Sequence, residues 1–153
     1  MIASLLQAAM TRDDMRHLVE DLHRLWSRGG DVREVPRIYA PHFVAHMPKG
    51  WGAGAPSRDG HAGIKAAILR LRAAFPDWRE EIEELVIEGD RAAVRYVSTA
   101  THTGSPFLGV PAAGARIRVD EMSIFRVEAK LVAEQWCLND DLAFEKQLRA
   151  VAT

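Results

Sequence analysis

The chain reads as one α+β domain of 153 residues, with helices packed on one face of a curved, mostly antiparallel sheet. Three observations lead there. Two segments in the first half carry apolar residues at helical spacing, and after FPD at 75–77 the period changes to alternation. Turn-forming stretches then cut the alternating half into four runs.

The first helix is carried by Met15, Leu18, Val19, Leu22, Leu25 and Trp26, spaced i, i+3, i+4, i+7, i+10 and i+11 along one face. Thr11 and Asp14 have the form of a capping box, and Gly29-Gly30 ends the run. A short helix over 32–39 is limited by Pro36, and 43–47 reads as a short strand. The stretch PKGWGAGAPSRDG (48–60) is a Gly/Pro-rich loop, in which Trp51 is either a lid over a pocket or part of a plain linker. Asp59 opens a second helix, where Ile64, Ala67, Ile68, Leu71, Ala74 and Phe75 repeat the offsets of the first. The strand runs cover 78–88, 91–103, 115–127 and 130–139 and are joined by hairpins, and a short helix over 140–150 closes the chain. No repeat or second domain interrupts this plan, and residues 1–10 read as a loosely ordered extension.

Composition removes several functions. The content is 48% hydrophobic, enough for one core, and 20 basic against 21 acidic residues leave a charge of -1 without a basic run. A nucleic-acid surface is therefore not expected. A single cysteine allows neither an internal disulfide nor a CxxC metal pair, which suits a reducing compartment. MIASLLQAAM is too short to span a bilayer and lacks the basic start of a signal peptide, so a cytoplasmic protein without membrane contacts is expected.

Strand parity points to the interior. In ARIRVDEMSIFRV the odd positions Ile117, Val119, Phe125 and Val127 form an apolar face that also contains Glu121 and Ser123. A carboxylate there is either paired structurally or lines a cavity, because a bare charge in an apolar core is very costly. In RAAVRYVSTATH the apolar parity brings Tyr96, Ser98 and His102 inward, as a structural hydrogen-bonded group or as a pocket wall. Pairing through the 104–114 connection would place Glu121 within a few residues of His102. A desolvated Glu has a raised pKa and suits proton removal next to a carbonyl. For AEQWCLNDD (133–141) the two parities, Ala133-Gln135-Cys137-Asn139 and Glu134-Trp136-Leu138, leave no clear apolar side. An apolar outer face that includes Trp136 would suit a dimer contact.

Other chemistries have less support. His42 and His46 flank a strand-like run of roughly 13 Å, too long to share an ion. Cys137 is a nucleophile only with a base beside it and otherwise a small buried hydrophobe. Asp140-Asp141 cap the last helix or, for Asp140, line the cavity. No GxGxxG, P-loop or GxSxG occurs.

The segments LHRLWSRGGD, GHAGIKAAILRLRAAFPDW, EGDRAAVRY, THTGSPFLGVPAAG and IFRVEAKLVAEQW, in this order over nearly the whole chain, resemble the SnoaL-like polyketide cyclases of the nuclear transport factor 2-like superfamily. The resemblance implies a cone-shaped fold whose bent sheet wraps the N-terminal helices around a deep pocket, usually in a dimer. It implies an intramolecular aldol closure by an acidic side chain, with no metal and no cofactor. The acid of those cyclases falls at Cys137 here and an accompanying histidine at Ser123, while THTG carries over His102 and the first helix carries Trp26 to an aromatic pocket position. If Cys137 takes the acid's place, its strand face looks inward, and Glu121, two residues from Ser123, would supply the carboxylate.

These readings predict a cofactor-independent cyclase, isomerase or lyase acting on a hydrophobic carbonyl compound. Glu121 would be the base and His102 the proton donor, with Trp26, His46, Trp51, Tyr96, Ser123, Cys137 and Asp140 contacting substrate. The alternative is a non-catalytic binding or dimerisation module of the same fold.

Overall fold

The structure, a computed structural model, describes residues 10–47 and 56–150. Helix α1 (Arg12–Trp26) begins at the capping box: the Asp14 N–H donates to Thr11 Oγ1 at 3.0 Å, and the Thr11 N–H donates to Asp14 Oδ2 at 3.1 Å. A 3-10 turn (Val32–Glu34) leads into the single turn α2 (Val35–Ile38), with Pro36 in its first turn, where no N–H is needed. Then follow β1 (Tyr39–His46), α3 (Gly60–Ala74), β2 (Arg79–Glu88), β3 (Arg91–Thr101), β4 (Arg116–Glu128), β5 (Leu131–Asn139) and α4 (Asp141–Arg149). Asp59 does not cap α3 through its side chain. No helix among the described residues is long and apolar enough to cross a membrane.

The five strands form one sheet in the order β1-β5-β4-β3-β2. The three hairpin pairs are antiparallel, and β1 joins the edge parallel to β5, a long-range pairing that no local pattern announces. Along β4 the odd positions are buried and most even ones exposed, as a strand with one face on a core requires. Helices α1 and α3 cover this inner face, packing Leu18, Leu22, Ile64 and Ile68 toward Val94 and Phe125. A second cluster, around Phe75, Trp78, Phe107, Phe144 and Leu148, closes the other end under α4.

In β2 and in β5 a bulge interrupts the alternation. In β2 the register passes from Ile82 opposite Tyr96 to Glu84 opposite Arg95, so Glu83 is extra. In β5 Val132 pairs with Val127 and Glu134 with Arg126, so Ala133 is extra, and both Val132 and Ala133 are buried. Simple parity fails in these two strands for this reason.

Two motif glycines are fixed by close approach. A Cβ on Gly30 would meet the Leu25 carbonyl oxygen and the Arg72 guanidinium. Arg72 from α3 donates to the carbonyls of Leu25, Ser27 and Gly30, the last two at 2.8 and 2.5 Å, and so caps the C-terminus of α1 with a cation. At Gly104 a Cβ would strike the Ala73 carbonyl, because the loop after β3 lies against the end of α3.

Candidate acid-base site

A cavity of about 730 Å³ lies between α1, α3 and the inner sheet face. Leu22, Trp26, Phe43, Ile64, Leu71 and Phe107 make much of it apolar, and Ser57, Arg58, Asp59 and Arg70 also line it. On the sheet side the wall turns polar: Glu80, Tyr96, Glu121, Gln135, Cys137 and Asn139 line it, together with His23 from α1.

The register explains this concentration. Glu121 on β4 stands opposite Tyr96 on one side and Asn139 on the other, and Ser123 stands opposite Val94 and Cys137. Glu121 is 7% exposed. Its Oε2 accepts from Tyr96 Oη at 3.2 Å and its Oε1 from Ser98 Oγ. Burial pushes its carboxyl from an ordinary 4.5 up to about 8; the Glu80 carboxylate adds to the rise, while the Ser98 and Tyr96 hydroxyls oppose it. Burial, with the Glu121 charge beside it, also raises the Tyr96 phenol well above 10. The same two causes push the Cys137 thiol up to about 12, so it is a protonated lining group whose Sγ–H donates to Asn139 Oδ1 at 2.9 Å. Ser123 is buried beside them, accepting from Gln135 Nε2 at 3.0 Å and lying 3.4 Å from Tyr96 Oη. Trp26 lines the cavity and donates through Nε1 to Tyr39 Oη at 2.7 Å.

Other expected residues lie elsewhere. His102 stands six positions beyond Tyr96, about 20 Å along an extended chain, and the register puts Tyr96, not His102, opposite Glu121. Its ring packs on Phe75 at 4.9 Å and its Nε2 pairs with the Ser105 carbonyl at 2.9 Å, inside the second aromatic cluster. His46 is turned to the outer sheet face, where it stacks on Trp136 at 5.0 Å and meets Glu134 at 2.8 Å; its neighbours Ala45 and Met47 line the cavity instead. Asp140 is exposed and accepts the Ala143 N–H at 3.0 Å, so its carboxylate serves the free donors at the start of α4 and not the cavity. Trp51 lies outside the described residues.

Two polar residues of the wall escape sequence reasoning. His23 borders the apolar stripe of α1 and reads there as one more surface position. Glu80 sits in REEIEE, which looks like a solvated acidic edge, and the bulge at Glu83 hides that Glu80, Ile82, Leu85 and Ile87 share a face. The structure joins the two: His23 Nδ1 is 2.6 Å from Glu80 Oε2, with both side chains buried. Among the described residues, no three His, Cys, Asp or Glu side chains gather as a metal site.

The sequence profile of the SnoaL-like polyketide cyclases matches residues 16–148. The chain belongs to this family. Among solved structures, TsrD from Streptomyces laurentii is 31% identical, with 92% of this chain and 98% of that one covered and a TM-score of 0.79. The candidate polyketide cyclase IdmH from Streptomyces antibioticus is 26% identical over 87% and 96% of the two chains, at a TM-score of 0.76. The candidate hydroxylase AclR from Streptomyces galilaeus, 22% identical over 94% and 85% with a TM-score of 0.77, shows the shared fold alone. No curated protein matches significantly. Within the SnoaL-like frame, the two positions that the resemblance assigns to acid and histidine are direct cross-strand neighbours here, Cys137 and Ser123. The buried carboxyl of this wall, Glu121, lies one inward-facing position along β4 from Ser123.

Proposed function

We propose that this SnoaL-like protein is a cofactor-independent acid-base enzyme of the cyclase, isomerase or lyase kind, acting on an apolar carbonyl compound. The observation that carries the reading is Glu121: a buried carboxyl on the wall of a mostly apolar cavity, held by two hydroxyls. A carboxyl with a pKa of about 8 is mostly protonated at neutral pH. In that form it donates to a carbonyl oxygen and stabilises the negative charge that grows on this oxygen when the adjacent carbon loses a proton. The general acid-base logic of an enol intermediate follows, whether the enol then regains its proton elsewhere or attacks a second carbonyl.

The test is α-proton exchange. In D2O the protein should speed deuterium incorporation next to the carbonyl of 2-tetralone, an apolar ketone of suitable size, and Glu121→Gln should lower that rate by roughly a hundredfold. Unchanged exchange in the Gln variant removes Glu121 from the chemistry. No exchange above buffer with the wild-type protein favours a non-catalytic binding module.

The reading includes a homodimer through the outer sheet face. Exposed Met122 and Leu138 stand opposite each other there, and exposed Ile124 stands opposite Trp136. Leu138 is 72% exposed, an arrangement that a partner surface would cover. Sedimentation at micromolar concentration should give twice the chain mass, and a monomer would refute it.

A further inference from the structure

A protonated Glu121 leaves open which group receives the proton from carbon. We infer that His23, held by Glu80, is the second acid-base group of the cavity: its Nε2 takes the carbon-bound proton while Glu121 holds the carbonyl oxygen. This rests on the acid-base reading above and assigns its other half.

Four observations carry it. His23 is 3% exposed, and its Nδ1 is bound to Glu80 Oε2 at 2.6 Å. Glu80 is itself held, since its other oxygen accepts Trp78 Nε1–H at 3.1 Å and its backbone N–H donates to Ser27 Oγ at 2.9 Å. A carboxylate oxygen accepts, so in this inference a hydrogen sits on Nδ1, and in a neutral ring this leaves the lone pair on Nε2. That Nε2 is buried and has no hydrogen-bond partner among the described residues. A buried polar atom without a partner is destabilising, a loss that a ligand or a water can remove on binding.

The third observation is position. The His23 ring meets the Tyr96 ring edge-on at 4.4 Å, and the Tyr96 hydroxyl touches Glu121, so the two acid-base groups flank one tyrosine. The fourth is access. His23 and Glu80 belong to the wall of the large cavity and also to that of a second cavity of about 670 Å³ between α1 and β2, lined by Arg24, Arg28, Asp77 and Arg79. The dyad therefore stands between two spaces, and a proton it accepts can be passed to solvent without crossing the apolar chamber.

The step balances without any co-reactant. The C–H bond next to the carbonyl breaks and its proton goes to Nε2. The electron pair becomes the C=C bond, and the carbonyl π pair moves to oxygen, which takes the Glu121 proton. The products are an enol, an imidazolium paired with Glu80, and a Glu121 carboxylate facing the Tyr96 and Ser98 hydroxyls. Return of the proton to another carbon, or attack of the enol on a second carbonyl, completes the turnover. Glu80 touches no reacting atom and is a positioning residue.

The experiment pairs exchange kinetics with nitrogen NMR. With 2-tetralone in D2O, His23→Gln should slow wild-type exchange by roughly a hundredfold or more, and Glu80→Gln by roughly tenfold or more. In the free wild-type protein at mildly alkaline pH, the 15N shifts of the His23 ring should show hydrogen on Nδ1, and Glu80→Gln should change that tautomer balance, which a merely structural loss would not do. Wild-type exchange in His23→Gln, with loss in Glu121→Gln, overturns the inference and leaves the acid-base reading standing. Absence of exchange in the wild-type protein overturns both. A hydrogen found on Nε2 overturns the inference whatever the kinetics, and if His23→Gln does not fold, Glu80→Gln and the tautomer decide.

Discussion

The two ends of the inner sheet face each hold a buried histidine with one ring nitrogen that has no hydrogen-bond partner among the described residues, Nε2 of His23 and Nδ1 of His102. At one end the ring is held by a carboxylate and stands on a cavity wall among Tyr96, Glu121 and Cys137. At the other it is held by a backbone carbonyl and sits among Phe75, Phe107 and Phe144, which pack on one another edge to face. The residue type and the depth of burial are the same. What differs is the partner: a carboxylate, Glu80, for His23 and a backbone carbonyl, that of Ser105, for His102.

The sharpest way to break this contrast is at the packed end. Phe75→Ala should cost about 3–5 kcal/mol of stability by opening a cavity in the aromatic cluster, while the exchange rate per folded molecule stays at the wild-type level. Chemical denaturation with parallel exchange assays measures both, and a lost rate in folded protein would show that this end takes part in the chemistry. His102→Gln should behave alike at a smaller scale, about 1–3 kcal/mol, since it also leaves the cavity wall intact.

Between the two ends, Arg72 ties α1 to α3. Arg72→Met should cost about 1.5–3 kcal/mol, because three carbonyls at the end of α1 lose their charged donor. Its thermal midpoint should fall, and a midpoint equal to wild type would mean that water replaces the guanidinium without loss.

At the cavity end the effect depends on pH. Glu121 has its carboxyl raised in the fold, from 4.5 to about 8. Its protonated form is the one the fold favours, so its contribution is fully present below about 4.5 and declines as pH rises toward and through about 8. Glu121→Gln should remove this decline, and urea titrations across that window should give a flatter curve for the variant. A parallel pair of curves would place the titration elsewhere. The smallest effect is expected at Cys137: with a thiol near 12, alkylation by iodoacetamide at pH 8 should be at least about a hundredfold slower than that of free cysteine. Rapid labelling would mean that the strand opens or that the thiol is ionised.

Much of the fold is legible in the residues. The stripe from Met15 to Trp26, the turns at EGD and EAK, and the unbroken alternation of β4 each fix an element locally, and β4 leads directly to Glu121 as an inward carboxyl. Legibility ends where a strand gains a residue. Beyond the bulges at Glu83 and Ala133 side chains change faces, and with them Glu80 disappears into an acidic run and Gln135 and Cys137 into an ambiguous one.

The sequence by itself determined the order and kind of the elements, the buried faces of β3 and β4, and the family, because helical and strand periods and turn residues act over a few positions. Tertiary structure alone decided that β1 lies parallel to β5, that His46 faces outward, that His102 is a core residue, and that His23 meets Glu80 across 57 positions. Those outcomes depend on register and on contacts between distant segments, whose energies exist only once the chain has folded.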